Sequence, residues 1–221
     1  MALPQITVEI RWFFPGVPEI GVKNWFLSNL RFSEILTENQ GKMRSDLYLL
    51  AGGNTGIGPK LREGRFEIKL VQLQGDIIAL DGAVRGTGEI WHKWKWPYAR
   101  TKKDKKTNEL VIAGFMARTA EHLRVIVQKK RWQRVFNPTG TGLSAPGPRS
   151  PKGLSCWIQA ELTQLQVKGA PWWTIALEVY GNPEEPMAFL RQSLQWFLED
   201  YAGPPLQIDN SYSYPEWLGR L

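Results

Sequence analysis

The sequence predicts a mainly β (α+β) fold: antiparallel strands with a few helices, one of them towards the C-terminus. Three observations carry that expectation. Strand-like runs follow one another without the intervening helices that a βαβ fold needs. Inside those runs, charged residues recur at every second position: Glu9 and Arg11 in ITVEIRWF, Lys60 and Arg62 in PKLRE, Glu67 and Lys69 in RFEIKL, Lys93 and Lys95 in EIWHKWKW, Lys129 and Arg131 in VIVQKKRWQRVF. Residues i and i+2 of a strand share a face, so each pair marks one face of its strand. The opposite face is mostly Ile, Leu, Val, Phe or Trp. Two closures satisfy this pattern. Charged faces turned outward give a β-sandwich with a solvated surface. Charged faces turned inward give a barrel whose lumen suits a polyanion.

The elements follow in order. Residues 7–14 form a first strand, closed by Pro15. VPEIGVKNWFLSNL reads as a short helix or an irregular segment. Residues 46–50, DLYLL, form a strand that ends in the glycine-rich AGGNTGIGP. Residues 60–63 and 65–72 form a hairpin around Glu63-Gly64. Residues 89–96 are a strand, and the charged ARTKKDKKTNE after them is a solvated loop. Residues 110–117 and 122–136 are strands, and residues 137–153 are a Pro/Gly/Ser loop. Residues 157–166 and 172–180 form a late hairpin across VKGAP. One helix spans residues 184–201. Pro186 suits its first turn, Glu184 and Glu185 suit the positive end of its dipole, and Gly203-Pro204-Pro205 stop it. Phe189, Leu190, Leu194, Phe197 and Leu198 give its apolar stripe. There is no internal repeat and no domain linker.

Composition narrows the partners. The chain has 221 residues, is 43% hydrophobic and carries a net charge of +7; its pI is about 9.5. That balance favours an anionic partner. Eleven tryptophans are many for this length, and Trp91, Trp94, Trp96 and Trp132 sit beside the charged runs. The lone cysteine, Cys156, excludes an internal disulfide and fits a reducing compartment; with no histidine beside it, it reads as a packed thiol. No signal peptide and no spanning run of roughly 18 apolar residues is present, so the expected location is cytoplasmic with no membrane partner. GNTGIGPK has neither Walker spacing nor a Lys-Ser/Thr pair, and the GTG triplets at 86–88 and 140–142 make no dinucleotide fingerprint. His92 and His122 share no zinc-ligand spacing with Cys156. WHKWKWPYARTKK reads in two ways: a stacking platform for single-stranded nucleic acid, or a strand with one packed Trp face and one solvated Lys face.

The order of these segments resembles the CYTH superfamily, the triphosphate tunnel enzymes. The E-x-E-x-K signature of that family falls on Thr7, Glu9 and Arg11. Lys60 and Arg62 resemble its R-x-R strand, Lys69 the lysine of its LTIKG-like strand, and Lys129 and Arg131 its K-x-R strand. Glu161 resembles the acid of the penultimate strand and Glu178 the second glutamate of the late E-x-E strand; SYSYPEWL resembles the SYxxLL ending. The resemblance spans nearly the whole chain and rests on the order of motifs that are individually weak. It implies that residues 1–221 form a single domain, a closed or nearly closed antiparallel β-tunnel with charges projecting inward. It also implies that Arg11, Lys60, Arg62, Lys69, Lys129 and Arg131 bind the phosphates of a triphosphate or polyphosphate. Mg²⁺ or Mn²⁺ would be held by Glu9 and Glu178, with Glu67 and Glu161 as further candidates, and would serve phosphohydrolysis. Thr7 and Ala176 stand where the family has acids, so the carboxylate set is degenerate. The function expected is therefore binding of a triphosphate or polyphosphate, with metal-dependent hydrolysis as an added activity. The alternative is a non-catalytic module that binds a phosphorylated ligand, or nucleic acid on the Trp/Lys face.

Overall fold

A computed structural model describes residues 4–28, 41–63, 65–80, 82, 84–95, 120–136, 156–181 and 184–221. Within them run eight strands: β1 (Gln5–Pro15), β2 (Met43–Leu49), β3 (Ile57–Arg62), β4 (Arg65–Leu80), β5 (Val84–Lys95), β6 (Arg124–Phe136), β7 (Cys156–Val167) and β8 (Ala170–Gly181). All neighbours are antiparallel, and the order β1-β5-β4-β3-β2-β6-β7-β8 returns to β1. The sheet is a closed barrel. Of the two closures the alternation allowed, the inward one is realised.

The barrel is polar inside and apolar outside along its best-covered wall. On β1, Thr7, Glu9 and Arg11 alternate with Val8, Ile10, Trp12 and Phe14. The apolar set leaves water because helices lie over it. From α1 (Ile20–Ser28) come Val22 and Phe26, and from α2 (Pro186–Phe197) come Leu190, Leu194 and Phe197. These five join Val8, Ile10 and Trp12 of β1, Ile158 and Leu162 of β7, and Ile175, Leu177 and Val179 of β8 in one core cluster. Burial of that outer face, at about 25 cal/mol per Å² of apolar area, is the main drive holding helices to wall.

One end of the barrel is closed. A third helix, α3 (Tyr214–Gly219), starts at Ser213, whose hydroxyl accepts from the Glu216 amide. It sets Trp217 and Leu218 against Phe13, Val125, Val127, Leu165 and Val167. Phe13 and Trp217 stack with centroids 4.4 Å apart.

Several expectations shift in detail. The segment read as helical or irregular contains α1. The late helix is shorter than 184–201. Glu185 is its N-cap but makes no side-chain cap bond, and Asp200, at φ 64°, has left helical geometry. β4 runs past residue 72 to Leu80; two register shifts, between Val71 and Leu73 and between Leu73 and Asp76, break the alternation that would have revealed it. β3 begins inside the glycine-rich segment, and the strand expected at 122 begins at Arg124, after a 3₁₀ turn over Glu121–Leu123. The SYSYPEWL ending contains α3, which was not expected as a helix. The strand at 110–117, the loops at 99–109 and 137–153, Trp96 and the Cys156 side chain lie outside the described residues. No helix among those described is long and apolar enough to cross a membrane.

Candidate functional site: a charged lumen

Inward side chains from all eight strands line a cavity of about 330 Å³. Each strand supplies its contribution through the period of two: Glu9 and Arg11 from β1, Arg44 and Tyr48 from β2, Lys60 and Arg62 from β3, Lys69 from β4. Glu89, Trp91, Lys93 and Lys95 come from β5, Lys129, Arg131 and Gln133 from β6, Gln159 and Glu161 from β7, and Glu178 and Tyr180 from β8. Tyr212, Ser213, Tyr214 and Pro215, ahead of and at the start of α3, form the floor. Nine cationic side chains face four carboxylates in this lining.

All six basic residues expected from the sequence line this one cavity, as do Glu9, Glu161 and Glu178. Glu67, on the same face of β4 as Lys69, is not part of this lining and pairs with Lys60 at 3.3 Å. The sequence reading missed Arg44, Asp46, Tyr48, Glu89, Tyr180 and Tyr214 as site residues, and it placed Lys93 and Lys95 on a nucleic-acid platform or a solvated face, not among the phosphate contacts. The signal for β2 was present: Arg44, Asp46 and Tyr48 have the same period of two.

The acids hold the cations in a fixed lattice. Glu161 accepts from Arg11 and Arg131, both at 3.0 Å, and from Thr163 at 2.9 Å. Arg11 also stands 3.6 Å from Glu178. Asp46, fully buried, ion-pairs with Arg44 at 3.1 Å, Lys129 at 3.7 Å and Lys60 at 3.8 Å. The Lys129 ammonium donates to the Tyr48 hydroxyl at 2.6 Å and lies 3.6 Å from the Tyr214 ring centroid. Burial opposes every charge here, yet the cations win at the acids. Lys129 and Lys60 hold the Asp46 carboxyl at about 2, Lys60 and Lys93 hold Glu67 at about 2, and Lys69 and Lys93 hold Glu178 at about 2. Glu89 is the exception. Burial and the Glu9 carboxylate push it up to about 7, against the hydrogen bond from the Trp91 indole.

The same lattice sets a pH profile. Depressed acids stabilise the folded state above their ordinary pKa and lose that contribution only as pH falls through about 2. Buried lysines act in the opposite sense. Lys60 and Lys129 are pushed down by burial, and burial with Lys69 and Lys60 pushes Lys93 to about 7. For Lys93 the penalty is complete below pH 7 and disappears as pH rises towards its ordinary value of 10.5. The melting temperature of the ligand-free protein is therefore expected to rise between pH 7 and pH 9. A fall over that interval, measured by calorimetry, would show that the lysines are paired in solution.

The divalent cation implied by the resemblance can be tested against the donors present. Glu9 and Glu178 are register partners on β1 and β8. The Lys69 ammonium already bridges them, donating to Glu9 and standing 3.9 Å from Glu178. Thr7 donates to Glu9 at 2.7 Å, the Tyr180 hydroxyl donates to Glu178, and Ala176 offers no oxygen. Among the described residues no group of three or more His, Cys, Asp or Glu is arranged to hold a metal. Mg²⁺ and Mn²⁺ want hard oxygen donors with enough negative charge. Glu89 on β5 is the other register partner of Glu9, but burial pushes its carboxyl up to about 7 and it accepts from the Trp91 indole; with the Lys69 ammonium between Glu9 and Glu178, this set does not fit either metal ion.

No protein-family model and no curated protein matches the chain. Among solved structures it is similar to the PH1819 protein from Pyrococcus horikoshii OT3, at 15% identity over 97% of this chain and 98% of that one, with a TM-score of 0.39. A likeness at that level carries no argument about the activity of this lumen.

Proposed function

We propose that the barrel binds a triphosphate or polyphosphate, or a ligand ending in such a chain, inside its lumen, and that the protein is a divergent triphosphate tunnel protein. The observation that carries this reading is the imbalance of the lining: nine cationic side chains against four carboxylates in one cavity, and still in excess when Asp46 and Glu67, which pair with Arg44, Lys60 and Lys129, are added. Burying like charges without a counter-ion is costly, so such a lining is best explained by a polyanionic occupant. The arginines suit bidentate contacts to phosphate oxygens and the lysines suit point-charge contacts. Binding is the part of the reading that these residues support. They do not support hydrolysis through a metal, because the donor set does not fit one.

The nucleic-acid reading loses its geometric basis in the described part of its motif. Lys93 and Lys95 line the lumen with Trp91, while Trp94 has the opposite strand parity. They do not share one open face on which successive bases could stack.

Titration calorimetry with tripolyphosphate at low salt tests the proposal, once with a chelator and once with Mg²⁺. Saturable binding that survives chelation is the expected result. Absence of binding in both conditions would defeat the reading.

A further inference from the structure

Lys93 is the misfit of the lumen. It stands on β5, is 9% exposed, lines the cavity, and makes no hydrogen bond or ion pair with any described residue. Its surroundings explain why. Lys69 is its register partner on β4, Lys60 lies beyond on β3, and Lys95 follows two residues along β5. The nearby acids are already engaged: Glu67 by Lys60, Glu9 by Lys69 and Thr7, Glu178 by Arg11, Lys69 and Tyr180. Every other wall cation in this neighbourhood has a polar partner, Lys95 through the Gln5 amide oxygen at 3.3 Å.

A buried ammonium among ammoniums, with no acid in hydrogen-bond or ion-pair contact among the described residues (Glu89, further along β5, accepts from the Trp91 indole), has two ways to relieve its charge. It can release its proton, or it can gain an anion. We infer that the Lys93 amine is the seat for an anionic group of the ligand, and that filling this seat draws a proton into the barrel. This rests on the lumen-binding reading and goes beyond it, since it names a position and a coupling that a merely basic lining would not have. The ligand class is an oxyanion, here one phosphate of the chain, held against Lys93 with Lys69 and Lys60 beside it. Burial and the two lysines push the free amine down, to about 7. A phosphate in contact restores the charged form, and the proton comes from solvent.

Calorimetry of tripolyphosphate binding at pH 8, in two buffers of different ionisation enthalpy, reads the proton count. The wild type is expected to take up more protons on binding than Lys93→Met does. The ligand's own titration is common to both proteins and drops out of the difference. Lys93→Met is expected to bind roughly tenfold more weakly, as befits a lost charge-assisted contact. Lys93→Arg, whose guanidinium stays charged, is expected to bind well and to lose the extra uptake. A second measurement needs no variant. Acylation of the wild-type chain at pH 8, followed by peptide mass mapping, should modify Lys93 readily and should be blocked by tripolyphosphate. Equal uptake by wild type and Lys93→Met, unchanged affinity in Lys93→Met, or labelling of Lys93 that tripolyphosphate leaves untouched would each overturn the seat while leaving lumen binding intact. No binding by the wild type overturns both.

Discussion

Glu161→Ala is expected to destabilise the barrel by about 3–5 kcal/mol, the usual cost of removing one partner from a buried ionic network. At this chain length that is a drop in melting temperature on the order of 10 °C. The reason is what Glu161 holds. Two guanidiniums, from Arg11 and Arg131, converge on its two oxygens at 3.0 Å, with Thr163 at 2.9 Å and the Gln133 amide at 3.3 Å. Alanine leaves Arg131 without its ion-pair acid and buried Arg11 with Glu178 alone, at 3.6 Å. The vacated space is then an anion site in its own right, so tripolyphosphate should recover more stability in the variant than it adds to the wild type. Thermal melts with and without the ligand measure both. A loss below about 1 kcal/mol would mean that water reaches these guanidiniums and that the network is not buried in the sense that matters.

Arg62→Glu is expected to lower tripolyphosphate affinity by roughly a hundredfold at low salt, with the deficit shrinking as salt is raised. Arg62 contributes little to the fold: its side chain is 23% exposed, and its nearest acid is Glu63 at 3.8 Å. Burial, Arg44 and Arg131 together hold its guanidinium below the ordinary range. A carboxylate at this position would meet Arg44 and Arg131 and relieve their repulsion, while repelling a phosphate. Opposite signs are therefore expected, with affinity falling and the melting temperature of the free protein holding or rising. If affinity and stability fall together, Arg62 is a structural residue and not a contact for the ligand.

How far the sequence reached depends on which physical signal each feature leaves. The period-two charges on β1, β3, β4 and β6 were legible because a strand exposes its inner face to one environment only, and all six basic residues named from that pattern line one cavity. Whether that face turned in or out was not legible, because alternation is the same in both closures. What decides is α1 and α2 covering the outer wall, a long-range fact with no local signature. The continuation of β4 was hidden by its bulges, and β2 begins at Met43 where the expected strand began at 46, so Arg44 fell outside it. The role of the acids as metal ligands comes from the family resemblance alone. Only the register, which sets Glu9 opposite Glu178 with Lys69 bridging them, shows that these carboxylates already have a cation.

The stacking of Trp217 on Phe13 has a consequence for the dimension of the ligand. α3 sets Trp217 and Leu218 against Phe13, Val125, Val127, Leu165 and Val167, so among the described residues that end of the barrel is filled by side chains. A linear polyanion bound as proposed would enter head first and halt against the floor formed by Tyr212, Ser213 and Tyr214. On that reading the contacts would fall on the last few units of a chain, whatever the length of the remainder.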